Sequence, residues 1–228
     1  MKSDKTSILT AAACLFAMGL PDIARASHEA VNITPSLSEV DVLFEGKPYA
    51  IKRMHTDDDR IPGPYSTTVR PCPPFCIQPM HIAVGVETIG ELEVLGYLKR
   101  IAQGDHSVLV VDSRTRDWVM RGTIPGSVNI PWNTINLDFA EGFDLSAAAE
   151  QIDNIFEARF GAKKTKSGWD YSNAKTLVLF CNGAWCPQSP TNIKTLLARG
   201  YPADKLKWYR GGMQDWIGLG LSTAKPDR

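Results

Sequence analysis

Two short, unbroken apolar runs constrain what this 228-residue chain can fold into. Val108-Leu109-Val110-Val111, ending in Asp112, and Thr176-Leu177-Val178-Leu179-Phe180 have the pattern of strands buried on both faces. Helical periodicity surrounds them. Thr88-Ile89-Gly90-Glu91 is a capping-box sequence; after it Val94, Leu95, Leu98, Ile101 and Ala102 share one helical face, and Gly104 ends the helix. Leu145, Ala149, Ile152, Phe156 and Phe160 are spaced for another helix inside a long 132–172 connection. Ser189 as cap, with Pro190 at the first helical position, opens a third, with Ile193, Leu196 and Leu197 on its buried face and Gly200 as its stop. Val128-Asn129-Ile130, stopped by Pro131, and Leu206 to Tyr209 supply two more strands, and Met213 to Ile217 a short closing helix. This alternation predicts an α/β fold: an open parallel sheet with helices on both faces.

The rest of the chain reads as an export signal and an extension. Lys2 and Lys5, the apolar stretch from Ile8 to Leu20, Pro21, and Ala24-Arg25-Ala26 before Ser27 have the layout of a signal peptide spanning 1–26 and cleaved after Ala26. A short buried N-terminal helix fits those flanks less well. A lipid anchor at Cys14 would have too brief an apolar stretch ahead of it. Export predicts a periplasmic or secreted protein, where disulfides persist. No run is long enough for a transmembrane helix. Lys and Arg (25) balance Asp and Glu (25), which leaves no electrostatic footprint for nucleic acid or an anionic membrane surface. Residues 27–86 form the extension. In it, Val40 to Phe44 and Tyr49 to Met54 flank Glu45-Gly46-Lys47-Pro48 as a β-hairpin. Asp57, Asp58 and Asp59 read as a solvated loop, since the spacing of a calcium loop does not follow them. Arg70 to Pro79 is too rich in proline for helix or central strand. Residues 87–224 are the main domain.

Reactive chemistry is concentrated after the Thr176–Phe180 strand. Cys181-Asn182-Gly183-Ala184-Trp185-Cys186-Pro187 joins that strand to a helix, and open α/β sheets bind ligands outside the carboxyl ends of their strands. Amides of such a loop, turned inward, stabilise an anion and favour a thiolate at Cys181. The alternative for Cys181 is a small buried hydrophobe. Cys186 is either an inert thiol or close enough to resolve a persulfide or disulfide on Cys181. Cys72 and Cys76 form a local disulfide, exchange thiols with Cys181 if the extension folds over the sheet end, or join a zinc site, for which their spacing is wrong. Trp185 shields the loop or packs as core. His81 and His106 are isolated, with surface or capping roles.

The sequence resembles the rhodanese-like sulfurtransferases. Val111-Asp112-Ser113-Arg114, Asp117-Trp118 and Gly122-Thr123-Ile124-Pro125-Gly126-Ser127-Val128-Asn129-Ile130-Pro131 are similar to that family's first signature. Tyr209-Arg210-Gly211-Gly212-Met213, with Trp216, resembles its closing one. Cys181 falls where the family carries its active-site cysteine, and the resemblance covers about residues 88 to 222. It implies transfer of sulfane sulfur from a small anionic donor such as thiosulfate or a polysulfide, through a Cys181 persulfide, to a thiol acceptor or redox protein. The chemistry needs no cofactor and no metal. Asn182, Gly183, Ala184, Trp185 and Cys186 would cradle the anion. Asp112 and Arg114 would brace the loop, with Asp117 as the available ion-pair partner of Arg114. Gly126, Gly211 and Gly212 would permit sharp turns at the sheet end.

Three departures bear on the reaction. Thr123 replaces the usual histidine. Residues 182–187 contain no Lys or Arg, where thiosulfate-using members often carry a cation; Arg210 either supplies that charge or sits solvated on the surface. Phosphate-cleaving relatives need arginine six residues after the cysteine, and that residue is Pro187. A non-enzymatic thiol–disulfide or sulfur-carrier module built on Cys181 and Cys186 is the competing function.

Overall fold

Along Val108–Asp112 and Thr176–Phe180, successive side chains enter opposite cores, as a pleat of period two requires. Val108, Val110, Val178 and Phe180 belong to one buried cluster, and Val111, Leu177 and Leu179 to the other. The computed structural model describes residues 31–54, 60–136 and 145–227. The expected signal peptide, Cys14, and Asp57, Asp58 and Asp59 lie outside the described residues.

In chain order the elements are β1 (Glu39–Phe44), β2 (Lys47–Lys52), α1 (Gly63–Ser66), β3 (Glu87–Ile89), α2 (Glu91–Ala102), β4 (Val108–Asp112), α3 (Arg116–Val119), β5 (Val128–Asn129), α4 (Leu145–Ala158), β6 (Lys163–Thr165), β7 (Gly168–Asp170), β8 (Thr176–Phe180), α5 (Gln188–Ala198), β9 (Leu206–Tyr209) and α6 (Gly212–Gly218). The central sheet has the order β3-β9-β8-β4-β5, all parallel. Residues of α2 and α6 pack on one face of it, and residues of α4 and α5 on the other. Crossovers of this kind bring the carboxyl ends of β4, β8 and β9 to one edge, with Asp112, Phe180 and Tyr209 in register there.

The architecture is the expected one, with local corrections. β3 is an edge strand where a helix cap was expected. Thr88 pairs with Trp208 and gives its hydroxyl to the Met80 carbonyl, so the helix begins two residues later. Gly90 caps it, and Glu93 accepts the Gly90 N–H at 3.0 Å. The hairpin turn is two residues, not four: Glu45 and Gly46 both have positive φ, +50° and +75°. That backbone matches the twist of paired strands and draws Lys47 and Pro48 into β2. Within the 132–172 connection, β6 and β7 form a further small hairpin, and Leu145 of α4 faces solvent while Ile152 and Phe156 are buried.

The extension is packed into this structure. Val40, Val42 and Ile51 share a cluster with Leu95 and Leu98 of α2, and Tyr65 of α1 shares it with Met213 and Trp216 of α6. Beyond α1 the Pro-rich strap closes on itself through a Cys72–Cys76 disulfide, with Cα atoms 4.6 Å apart. His81 and His106 are exposed.

Candidate active site

Cys181 is the first residue after β8, and the next peptides are held by α6. Met213 N–H donates to the Cys181 carbonyl and Gln214 N–H to the Asn182 carbonyl, each at 3.0 Å. A trans peptide points its N–H opposite its C=O, so fixing the Asn182 carbonyl on α6 turns the Gly183 amide back toward the Cys181 sulfur. The loop closes with a 2.9 Å bond from Cys186 N–H to the Gly183 carbonyl. α6 approaches this closely because Gly212 has no side chain: a Cβ there would lie 2.3 Å from the Cys181 oxygen, at a φ of +55°. Gly211, expected as a second turn glycine, is helical at φ −61°; what needs it small is the Asp215 side chain.

Cys181 is only 2% exposed, yet its surroundings are polar. Burial by itself pushes the thiol up. Hydrogen bonds from the Cys186 thiol, the Ser189 hydroxyl and the Ser189 and Gly183 amides outweigh burial and bring the thiol down to about 7. Ser189 Oγ lies 3.2 Å from the sulfur and accepts the Trp208 indole N–H at 3.1 Å. Cys186 is moved the other way: burial, then its bond to Cys181 and the charge there, raise its thiol well above the ordinary value. Its other acceptor is Gln188 Oε1 at 3.6 Å. The arrangement favours the negative charge on Cys181 and the proton on Cys186.

Ser189 was expected to be the helix cap. Instead Pro187 caps α5, which starts at Gln188, so Ser189 lies inside the first turn with its hydroxyl free to face Cys181. Arg114 also has a different partner from the one expected. It forms a fully buried ion pair with Asp112 (Nη2–Oδ2 2.6 Å, Nε–Oδ1 2.9 Å), while Asp117 faces solvent and accepts the Thr115 hydroxyl. Bidentate geometry two residues along an extended strand end outcompetes an exposed carboxylate. Thr123 completes the pair, donating to Asp112 Oδ2 at 2.6 Å. From this hub Arg114 reaches the Gly122 carbonyl at 2.8 Å, the Tyr65 hydroxyl at 2.9 Å and Asn182 Oδ1 at 3.5 Å. Arg210 is neither a loop cation nor a solvated one. Its guanidinium donates to the carbonyls of Gln78 (Nη2, 2.8 Å) and Pro79 (Nε, 3.2 Å), tying the strap to the sheet end.

Several residues of the strap and helices at this site have no obvious signal in the sequence. The Gln78 amide donates to the Ala184 carbonyl at 2.8 Å. Arg70 lies over the Trp185 ring, 3.5 Å from its centroid, and Phe75 meets the same ring edge-on at 5.6 Å. Gln214 accepts the Trp185 indole N–H at 2.7 Å and donates to the Tyr65 carbonyl at 3.0 Å. Trp185 is thus one docking point of the strap, beside Arg210. Cys72 and Cys76 are bonded to each other, so they are neither zinc ligands nor free to exchange with Cys181 in this state. Among the described residues no cluster of three or more His, Cys, Asp or Glu could hold a metal ion.

Residues 95–219, more than half the chain, match the model of the Rhodanese-like domain. The chain belongs to the rhodanese-like family. Membership carries the general sulfur-transfer role of that superfamily and small-molecule sulfur compounds as the substrate class. No curated protein matches the chain. Among solved structures, the BH2092 protein of Bacillus halodurans is similar at 19% identity and a TM-score of 0.39, over 63% of this chain and 83% of that one. A Rhodopseudomonas palustris protein of unknown function, titled a possible tyrosine phosphatase, shows 18% identity and a TM-score of 0.39 over 61% and 85%. The human single-domain sulfurtransferase shows 24% identity and a TM-score of 0.32 over 58% and 96%. Among the described residues of this rhodanese-like chain, no helix is long and apolar enough to cross a membrane.

Proposed function

We propose that this protein is a sulfurtransferase that takes sulfane sulfur from a small anionic donor, thiosulfate or a polysulfide, holds it as a persulfide on Cys181 and passes it to a thiol or another nucleophile. The observation that carries the reading is a Cys181 thiol brought down to about 7 by converging donors at the carboxyl end of β8. The thiolate attacks the outer sulfur of thiosulfate. The S–S bond of the donor breaks, sulfite leaves with the bonding pair, and the new persulfide anion inherits the hydrogen bonds of the old thiolate. An acceptor thiolate then attacks the terminal sulfur and carries it off, returning Cys181 to its starting state. No general base is needed, because a thiol brought down to about 7 supplies a large thiolate fraction at neutral pH. Phosphate cleavage is disfavoured: Pro187 offers no guanidinium at the position that chemistry requires.

Mass spectrometry of the intact protein after thiosulfate or polysulfide treatment tests this. The expected result is a gain of one sulfur that maps to Cys181 and disappears in Cys181→Ser; no gain from either donor overturns it.

A second reading, a thiol–disulfide module, is favoured by the Cys186 thiol bonded to Cys181. Attack of Cys186 on the Cys181 persulfide would form the Cys181–Cys186 disulfide and release hydrogen sulfide, leaving a dithiol partner to reset the pair. A protein isolated with that disulfide and never accepting sulfur would decide for this reading. We propose further that residues 1–26 direct the chain out of the cytoplasm. The Cys72–Cys76 disulfide supports export, and cell fractionation of the native host tests it; recovery in the cytosolic fraction overturns it.

A further inference from the structure

A loop that receives a dianion gains from a cation beside its amides, and residues 182–187 contain none. The nearby arginines are committed elsewhere. Arg114 is neutralised by Asp112 inside the protein, and Arg210 spends its donors on strap carbonyls. Arg70 is different. It comes from outside the family-matched region, 95–219, and is laid on the Trp185 face by the strap. One Nη2 donor goes to the Pro64 carbonyl, but its Nε–H is buried with no partner. A buried guanidinium N–H without an acceptor is costly, and it is the kind of donor that an oxyanion satisfies. Burial lowers the basicity of Arg70, and the Cys186 side of the loop opposes that loss.

We propose that Arg70 is the anion-binding residue of the Cys181 site, a cation supplied by the extension in place of one in the loop. The inference rests on the sulfur-transfer reading and names its substrate class, a sulfur oxyanion or polysulfide anion. The Trp185 ring and the Pro64 carbonyl hold the guanidinium in place, so little side-chain freedom is lost when the anion arrives. The strap contacts at Ala184, Trp185 and Arg210 fix the strap that carries the cation against the loop that begins at Cys181.

The test compares an anionic and a neutral thiol reagent on the full-length protein. Wild type, Arg70→Ala and Arg70→Lys are alkylated with iodoacetate and iodoacetamide at one pH, and the rates at Cys181 are read by peptide mass mapping. The iodoacetate-to-iodoacetamide ratio is expected to fall about tenfold in Arg70→Ala and to recover in part in Arg70→Lys, because only the charged reagent uses the cation. With thiosulfate, KM should rise about tenfold in Arg70→Ala with little change in kcat. A ratio and a KM both unchanged in Arg70→Ala overturn the inference. If that variant fails to fold, added salt on the wild type gives the answer. Salt should slow iodoacetate but not iodoacetamide, and equal responses overturn the inference. Failure of the parent reading looks different: a wild type that prefers iodoacetate yet never gains sulfur leaves Arg70 an anion site and removes sulfur transfer.

Discussion

Trp208 donates its indole N–H to the Ser189 oxygen, so the single hydrogen of that hydroxyl is left for the Cys181 sulfur. The rate of Cys181 alkylation by iodoacetamide should therefore rise with pH through a midpoint at about 7 and level off above it. Ser189→Ala removes a donor that bonds the thiolate better than the thiol, so the midpoint moves upward, by roughly one pH unit or more. An unmoved midpoint would remove Ser189 from the site. The Asp112–Arg114 pair is a separate matter of stability. Asp112→Asn leaves a guanidinium with no counter-charge at 0% exposure, and the expected loss is about 3–5 kcal/mol, measured by urea unfolding. Cys181, Cys186, Asp112 and Arg114 could be picked out in the sequence because each lies at a strand end or in the loop after one. Ser189 was visible but misplaced: Ser-Pro is a strong helix-start signal, and the helix begins two residues earlier, with Pro187 as its cap.

At the level of elements, α6 and the β1–β2 hairpin show two kinds of long-range fit. Ile51 is fully buried among residues of the main sheet and α2, so Ile51→Ala should cost about 2–5 kcal/mol in denaturant unfolding, against near zero for a decorative hairpin. Gly212→Ala would place a methyl group against the Cys181 carbonyl. It should lower Tm by several degrees and shift the Cys181 alkylation midpoint, since the same contact orients the loop. Periodicity made β4, β8, β9, α2 and α5 readable, because each has a face pattern of its own. β3 escaped: three residues are too few to show alternation, and Thr88 looked like a cap. Tyr65 and Arg70 were invisible as site residues for a different reason. Their partners lie 49 and 115 positions away along the chain, and no local pattern encodes such a meeting. The one indirect sign was the missing charge in the loop.

For the molecule as a whole, residues from Val31 onward cluster as a single unit, and the first signature of the family does not begin until much later in that stretch. A fragment starting at residue 87 would lose Val40, Val42, Ile51 and Tyr65 from the core that holds α2 and α6. It is expected to show no cooperative thermal transition by circular dichroism, whereas residues 27–228 should melt in one step. The sheet is also trimmed at its margins: β3 has three residues and β5 has two. A flank that brief presents hardly any unpaired main-chain groups to an arriving strand. Two copies meeting in solution are therefore not expected to join through either border of the central sheet.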